Sequence, residues 1–250
     1  MSGKGKALVV LLGLALTIGV AVAQKNKPWT EWTLKDAQKI LNDSAWGQTQ
    51  ADTDTTEMMF SPAARDISSM GAVNQATSVY LRVRLMSAKP IRLAFFRQLQ
   101  LDPKHTQEQL AQAQAFVDRK YDQTIVVAVT YDGPDQRYTA PYFQALNTAI
   151  TSTLKNTTYL EIKGGKRNFL LEYQSPAQSQ DGMAKFIFAR IVDDKPYVEL
   201  KGNELRFYAE LPKLMGNNQP TNNRKDSTEV LTINMRFKIA NLIYEGVLEY

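Results

Sequence analysis

Apolar residues that recur every three or four positions mark four helices in the first part of the chain. The first covers residues 33 to about 44, where Thr33 and Asp36 form a capping-box pattern ahead of the apolar positions. The other helices are predicted over residues 90–101, 107–121 and 141–155. The chain before residue 155 is therefore predicted to be mainly helical.

Strands are predicted where apolar and polar residues alternate. Residues 77–88 show this pattern most clearly, with aliphatic side chains on one face and Arg82 and Arg84 on the other, and residues 125–131 form a β-branched run. The adjacent glycines Gly164 and Gly165 separate two short apolar runs and predict a hairpin. Further strands are predicted at residues 184–191, 197–200, 204–210, 230–240 and 242–250.

These patterns predict an α+β fold, with N-terminal helices and a few strands followed by a mainly antiparallel β-sheet in the C-terminal half. Residues 48–70 are polar and small, which is typical of a loop or linker. The chain thus divides into residues 1–23, residues 24–76 with the first helix and the linker, and an α+β domain over residues 77–250. A subdivision of that domain near residue 155 is left open.

Residues 1–23 have the three parts of a cleavable secretory signal peptide. A short positive region precedes an apolar run over residues 7–20, and Ala21-Val22-Ala23 is the small-x-small pattern that signal peptidase recognises. The apolar run is too short to span a bilayer, because a helix that crosses the hydrocarbon core needs about 20 apolar residues. We expect a mature protein that begins at about Gln24, is periplasmic or secreted, and is not an integral membrane protein.

The net charge argues against nucleic acid as a partner, and the cysteine content excludes disulfides as a source of stability. The full chain has a net charge of +5, and removal of Lys4 and Lys6 with the signal peptide leaves 28 Lys and Arg residues against 25 acids, a net charge of +3. Such a small charge gives no electrostatic footprint for nucleic acid. The chain has no cysteine, so its stability must come from a packed core and not from disulfides.

Several kinds of reactive site are excluded by residue type. His105 is the only histidine and there is no cysteine, which rules out zinc sites built on several imidazoles or thiolates. A Ser-His-Asp triad would have to use His105, and no G-x-S-x-G elbow occurs. The Gly164-Gly165-Lys166 run lacks the other residues of a phosphate-binding loop. We therefore expect no metal ion and no cofactor.

The three tryptophans form the first group of candidate binding residues. Trp29, Trp32 and Trp46 all lie within 18 positions around the first helix. The favoured interpretation is that these large rings attach the helix to the domain. The alternative is an exposed aromatic platform that binds a glycan or a peptide. The solvent exposure of the rings distinguishes the two.

Four arginines form the second group, because Arg82, Arg84, Arg92 and Arg97 follow each other along a predicted strand and helix. A row of guanidinium groups can hold a carboxylate or a phosphate in a bidentate manner. We therefore take Arg82, Arg84 and Arg92 as candidate binding residues together with the tryptophans. The favoured alternative is that they are the charged outer positions of a one-sided sheet.

Carboxylates in turns leave an enzymatic alternative open. Glycoside hydrolysis needs only two acids at a separation of about 5 to 9 Å. Four residues are candidates by their positions in the chain, namely Asp132, Asp135, Asp193 and Asp194. Acidic residues in turns are usually solvated turn residues, so a hydrolase is the second interpretation and not the first.

Both ends of the chain resemble a group of exported bacterial proteins of unassigned function. The likeness rests on WTEWTLKDAQKILNDSAW at residues 29–46 and IYEGVLEY at residues 243–250. It implies a bacterial periplasmic or secreted setting and names no catalytic or binding residue. We therefore expect a non-catalytic protein that binds or scaffolds an envelope component or a small ligand. The alternative is a carboxylate-dependent hydrolase that acts on an extracytoplasmic substrate.

Overall fold

A computed structural model describes residues 27–54, 77–213 and 229–250. The predicted signal peptide and most of the predicted linker lie outside these residues. Within the described part of the chain, no helix is long and apolar enough to cross a membrane.

The described residues form five α-helices and thirteen strands, most of the helices in the N-terminal half. The helices are α1 (Leu34–Asn42), α2 (Lys89–Leu101), α3 (Gln107–Asp118), α4 (Gln136–Thr148) and α5 (Thr151–Leu154). The strands are β1 (Gly47–Asp54), β2 (Thr77–Leu85), β3 (Thr124–Asp132), β4 (Tyr159–Ile162), β5 (Arg167–Phe169), β6 (Glu172–Gln174), β7 (Ala184–Ala189), β8 (Ile191–Val192), β9 (Lys195–Pro196), β10 (Glu204–Lys213), β11 (Glu229–Lys238), β12 (Ile243–Tyr244) and β13 (Val247–Leu248). The predicted α+β fold is confirmed.

Two antiparallel sheets and a helical layer are stacked on each other. The first sheet has the order β1-β2-β3-β7-β6, the second has the order β11-β10-β4-β5, and β8-β9 and β12-β13 are separate hairpins. Alternate residues of β3 face opposite ways, so Val127 packs into the core shared with Phe207 of the second sheet, whereas Val126 packs with Phe96 of α2. The first sheet therefore lies between α1 to α3 and the second sheet.

The first helix begins where the sequence predicts. The Thr33 hydroxyl accepts a hydrogen bond from the Asp36 backbone N–H at 3.2 Å, and the Asp36 carboxylate accepts one from the Thr33 N–H at 2.9 Å. These contacts, with a hydrogen bond from Lys27, lower the pKa of Asp36 to about 2. The buried residues Ala37 and Leu41 then face α2. The capping box is confirmed.

The prediction that residues 48–70 form a linker is wrong for their first part, which belongs to β1. This strand is polar because two of its inward side chains, Gln48 and Gln50, form hydrogen bonds to the backbone of β11. Gln50 accepts a hydrogen bond from the Asn234 N–H at 3.0 Å and donates one to the Thr232 carbonyl at 2.8 Å, and Gln48 donates to the Arg236 carbonyl at 2.9 Å. The glutamines therefore close the edge of β11, which would otherwise leave unpaired backbone groups.

Three other predicted boundaries are corrected by the structure. α4 begins at Gln136, and Pro141 lies inside it and not at its start. Residues 197–200 form no strand, and the strand nearest to them is β9 (Lys195–Pro196), which pairs with β8 across a positive-φ turn at Asp193 and Asp194. Residues 242–250 contain two short strands separated by a turn at Glu245 and Gly246. Each difference arises at a turn or a proline, where local pattern predicts least.

Candidate binding site

Two open grooves lie on either side of the turn that joins β4 to β5. We call the first the sheet groove, because it is lined by the outer faces of β10 and β11, and its volume is about 630 Å³. We call the second the loop groove, because residues 192–202 form most of it, and its volume is about 380 Å³. Gly165 lines both grooves.

The turn between the grooves is a glycine turn, as the sequence predicts. Gly164 has a φ of 79°, which glycine adopts without the strain that a side chain would bring. The Gly165 N–H donates to the Ile162 carbonyl at 2.7 Å and closes the turn. The Tyr197 hydroxyl, whose pKa burial raises to about 12, lies 2.9 Å from the Leu160 carbonyl and 2.8 Å from that of Lys166. The hairpin is thus held from the loop side.

Strand alternation brings charged side chains into the sheet groove. On β10 and β11, Leu205 and Phe237 point into the core, so Arg206, Arg236 and Lys238 point outward. The remaining charged residues of this groove are Lys163, Glu161 and Glu204. Four cations therefore share the sheet groove with two acids.

The loop groove is formed by turns. Lys166 follows the glycine turn, Lys195 belongs to β9, and Lys201 lies in the loop before β10. Its two acids are Asp193 and Glu199. Together the two grooves hold seven cationic and four anionic side chains. This excess of three positive charges is as large as the net charge expected for the whole mature chain.

Some of the charged side chains of the grooves are in ion pairs, and others can contact a ligand. Arg206 lies 3.6 Å from Glu161, Arg236 lies 3.7 Å from Glu204, and Lys166 lies 3.2 Å from Asp193. Within the described residues, four exposed lysines of the grooves have no carboxylate within ion-pair distance, namely Lys163, Lys195, Lys201 and Lys238. Exposed lysines without acidic partners are suited to attract and hold an anionic ligand.

An aromatic stack next to the sheet groove fixes the position of its arginine. Tyr159 and Tyr208 stack with ring centroids 5.2 Å apart, and Arg206 lies 4.9 Å from the Tyr208 centroid. Arg167 covers the Tyr159 ring at 4.2 Å, and Glu161 pairs with both arginines. Because arginines lie over these rings, the stack is a support for the groove and not an open aromatic platform.

The predicted arginine row does not line either groove. Arg84 is 8% exposed and donates to the Leu41 carbonyl, the Asn42 side chain and the Thr130 hydroxyl. Burial lowers the pKa of Arg84 to about 10. The guanidinium lies at the carbonyl end of α1, where a cation is favoured. This arginine attaches α1 to the first sheet.

Arg92 and Arg82 have similar internal partners. Arg92 is buried and donates to the Val117 carbonyl at the end of α3 and to the Ser87 carbonyl. Arg82 is half-buried, donates to the Thr49 hydroxyl at 2.7 Å and lies 3.5 Å from the Asp132 carboxylate. The structure therefore places the arginines at contacts between elements, which is distinct from a shared anion site.

The three tryptophans lie where α1 meets the rest of the fold. Trp32 is 5% exposed and its indole N–H donates to the Lys27 carbonyl at 3.2 Å. Trp29 packs on Phe96 with centroids 5.8 Å apart. The indole N–H of Trp46 donates to the Glu249 carbonyl at 2.9 Å. These contacts agree with the first interpretation, in which the rings attach the helix to the domain.

Two of the four carboxylates considered for hydrolysis, Asp132 and Asp193, are in ion pairs, and Asp194 lies in the same turn as Asp193. Asp132 pairs with Arg82, and Asp193 pairs with Lys166 in a turn that requires positive φ. The acids of the sheet groove, Glu161 and Glu204, are paired with arginines. His105 lies 3.7 Å from Asp102. Among the described residues, no group of three or more His, Asp or Glu side chains is placed to hold a metal ion.

Sequence reasoning missed the lysines of the grooves. The Lys-Gly-Gly-Lys turn at residues 163–166 was the one available signal, since a predicted hairpin with a lysine on each side presents both charges to solvent. No protein-family model, no curated protein and no solved structure matches this chain. The site must therefore be interpreted from its own geometry.

Proposed function

We propose that this is an exported, non-catalytic protein of the bacterial envelope that binds an anionic component through the sheet and loop grooves. The observation that carries the proposal is the set of four exposed lysines near the glycine turn that have no carboxylate partner within the described part of the chain. Charges of one sign in a concave surface raise the local concentration of an oppositely charged ligand.

Binding is favoured over hydrolysis by the state of the acids. A hydrolase needs two carboxylates directed at one substrate bond. In the sheet groove both acids contact arginines, and in the loop groove Asp193 contacts Lys166. Within the described residues, Glu199 is therefore the one acid of the two grooves that is outside an ion pair, and a pair of acids is not left. These contacts support a surface that balances charge and offers cations to a ligand.

The proposed location rests on the sequence of residues 1–23. Expression of the full chain in a Gram-negative host, followed by fractionation and mass spectrometry, tests it directly. We expect the protein in the periplasm or the medium with Gln24 as its first residue. A full-length protein in the cytoplasm or in the membrane fraction would contradict the proposal.

The binding proposal is tested with soluble polymers. Polygalacturonate, dextran sulfate and long-chain polyphosphate are compared with neutral dextran by calorimetry at low and high salt. We expect at least one anionic polymer to bind, with an affinity that falls as salt rises. The double variant Lys163→Gln/Lys238→Gln should weaken binding.

A matched control removes two positive charges from the helical layer. Lys35 and Lys120 are exposed and lie on α1 and just after α3, away from the second sheet. Lys35→Gln/Lys120→Gln should bind as the wild type does. Equal weakening by both double variants, or no preference for anionic polymers over dextran, would refute the proposal. A glycosidase, esterase or peptidase activity that one acid substitution abolishes would show the protein to be an enzyme.

A further inference from the structure

We infer that the ligand is an acidic polysaccharide whose chain passes over the glycine turn and occupies both grooves at once. This inference rests on the proposed function, because it assigns a ligand class to the same grooves.

The two grooves lie on opposite faces of one hairpin. Along β4, Glu161 faces the sheet groove and the next residue, Ile162, faces the loop groove, as alternate positions of a strand must. A ligand confined to one face would contact only one set of lysines. A ligand that contacts both sets has to pass around the end of the hairpin.

The end of the hairpin leaves room for such a chain. Gly164 and Gly165 have no side chains, and a Cβ at Gly164 would lie more than 4 Å from every atom of the described residues beyond its two chain neighbours. The lysines on either side, Lys163 and Lys166, are exposed. The turn is therefore a bare backbone ridge between two cationic surfaces, which a flexible linear polymer can cross.

The lining favours a sugar polymer over a densely charged one. Besides the cations, the sheet groove presents the amides of Asn203 and Asn241 and the carboxylates of Glu161 and Glu204. Amides and carboxylates accept hydrogen bonds from the hydroxyl groups of a sugar repeat, whereas the repeat of an inorganic polyphosphate has no hydroxyl group to donate. A polysaccharide that carries both hydroxyls and carboxylates is complementary to this mixture.

A length series tests the bridging. Galacturonate oligomers from the dimer upward are titrated by calorimetry into the mature protein, the sheet-groove variant Lys163→Gln/Lys238→Gln and the loop-groove variant Lys195→Gln/Lys201→Gln. Linking two sites on one ligand raises affinity steeply once the ligand is long enough to reach both. We expect the wild-type affinity to rise by about 100-fold or more above a threshold length.

The variants distinguish bridging from binding in one groove. Each double variant should remove the rise at the threshold length, and the Lys35→Gln/Lys120→Gln control should keep it. A smooth rise without a threshold, or a threshold that the loop-groove variant retains, would overturn the inference and leave the proposed function standing. If polyphosphate binds but neither the galacturonate oligomers nor dextran sulfate does, the ligand class is wrong. Tighter binding of polyphosphate than of polygalacturonate at equal anion concentration would also show that the ligand class is wrong.

Discussion

The contact between β1 and β11 offers a sharp test of how the two sheets are held together. Gln50 acts there like a segment of backbone, because its side-chain amide accepts from the Asn234 N–H and donates to the Thr232 carbonyl. The substitution Gln50→Met keeps the length of the side chain and removes both hydrogen bonds. Gln48→Met is the matched control, because the Gln48 side chain makes a single hydrogen bond to the described residues, in which it donates to the Arg236 carbonyl.

The expected loss of stability follows from the number of hydrogen bonds. A typical intramolecular hydrogen bond contributes about 0.5 to 1.5 kcal/mol to the free energy of unfolding. Gln50→Met should therefore lower that free energy by about 1 to 3 kcal/mol and Gln48→Met by about half as much. Water reaches this exposed edge and can replace part of each lost contact, which favours the lower end of both ranges.

Urea unfolding measures the two losses, and amide hydrogen exchange locates them. The Asn234 amide should exchange faster in Gln50→Met and should keep its wild-type protection in Gln48→Met, apart from any change in global stability. Equal exchange of the Asn234 amide in both variants, or a Gln50→Met protein as stable as the wild type, would refute the idea that side-chain amides close this edge.

Two further predictions concern buried charge and acid stability. Arg84→Met should lower the free energy of unfolding by about 2 to 4 kcal/mol, since three hydrogen bonds from a charged donor outweigh the cost of burying it. Arg84→Lys should recover part of this loss. An unchanged midpoint of urea unfolding in Arg84→Met would contradict the idea that Arg84 attaches α1 to the first sheet. Asp36 has a pKa of about 2 against an ordinary value of 3.8, so its contribution to stability is complete above about pH 4 and is lost as pH falls towards 2. The difference in melting temperature between wild type and Asp36→Asn should therefore shrink over that interval, and a constant difference would show that the charge is not responsible.

The local sequence pattern is sufficient to predict a helix or strand when one face of that element packs against apolar groups. β2 has core residues at every second position and α1 begins at a capping box, so both were predicted close to their observed bounds. The pattern failed for β1, because its inward glutamines are satisfied by the backbone of a strand about 180 residues later in the chain. A hydrogen bond between such distant residues leaves no periodic signal in the sequence.

The candidate site likewise combines features that the sequence predicts with features that depend on distant contacts. The sequence marks Arg84 and Arg92 as candidates because arginines can bind anions, but only the folded chain shows that carbonyl groups at two helix ends accept their hydrogen bonds. The lysines of the grooves come from separate turns and strands, and no spacing in the sequence connects Lys163 with Lys238. Hydrophobic periodicity determined by itself the elements that bury an apolar face, such as α1 and β2, because burial acts along each element. The tertiary structure alone decided which charges meet, because their neighbours are set by the packing of the two sheets.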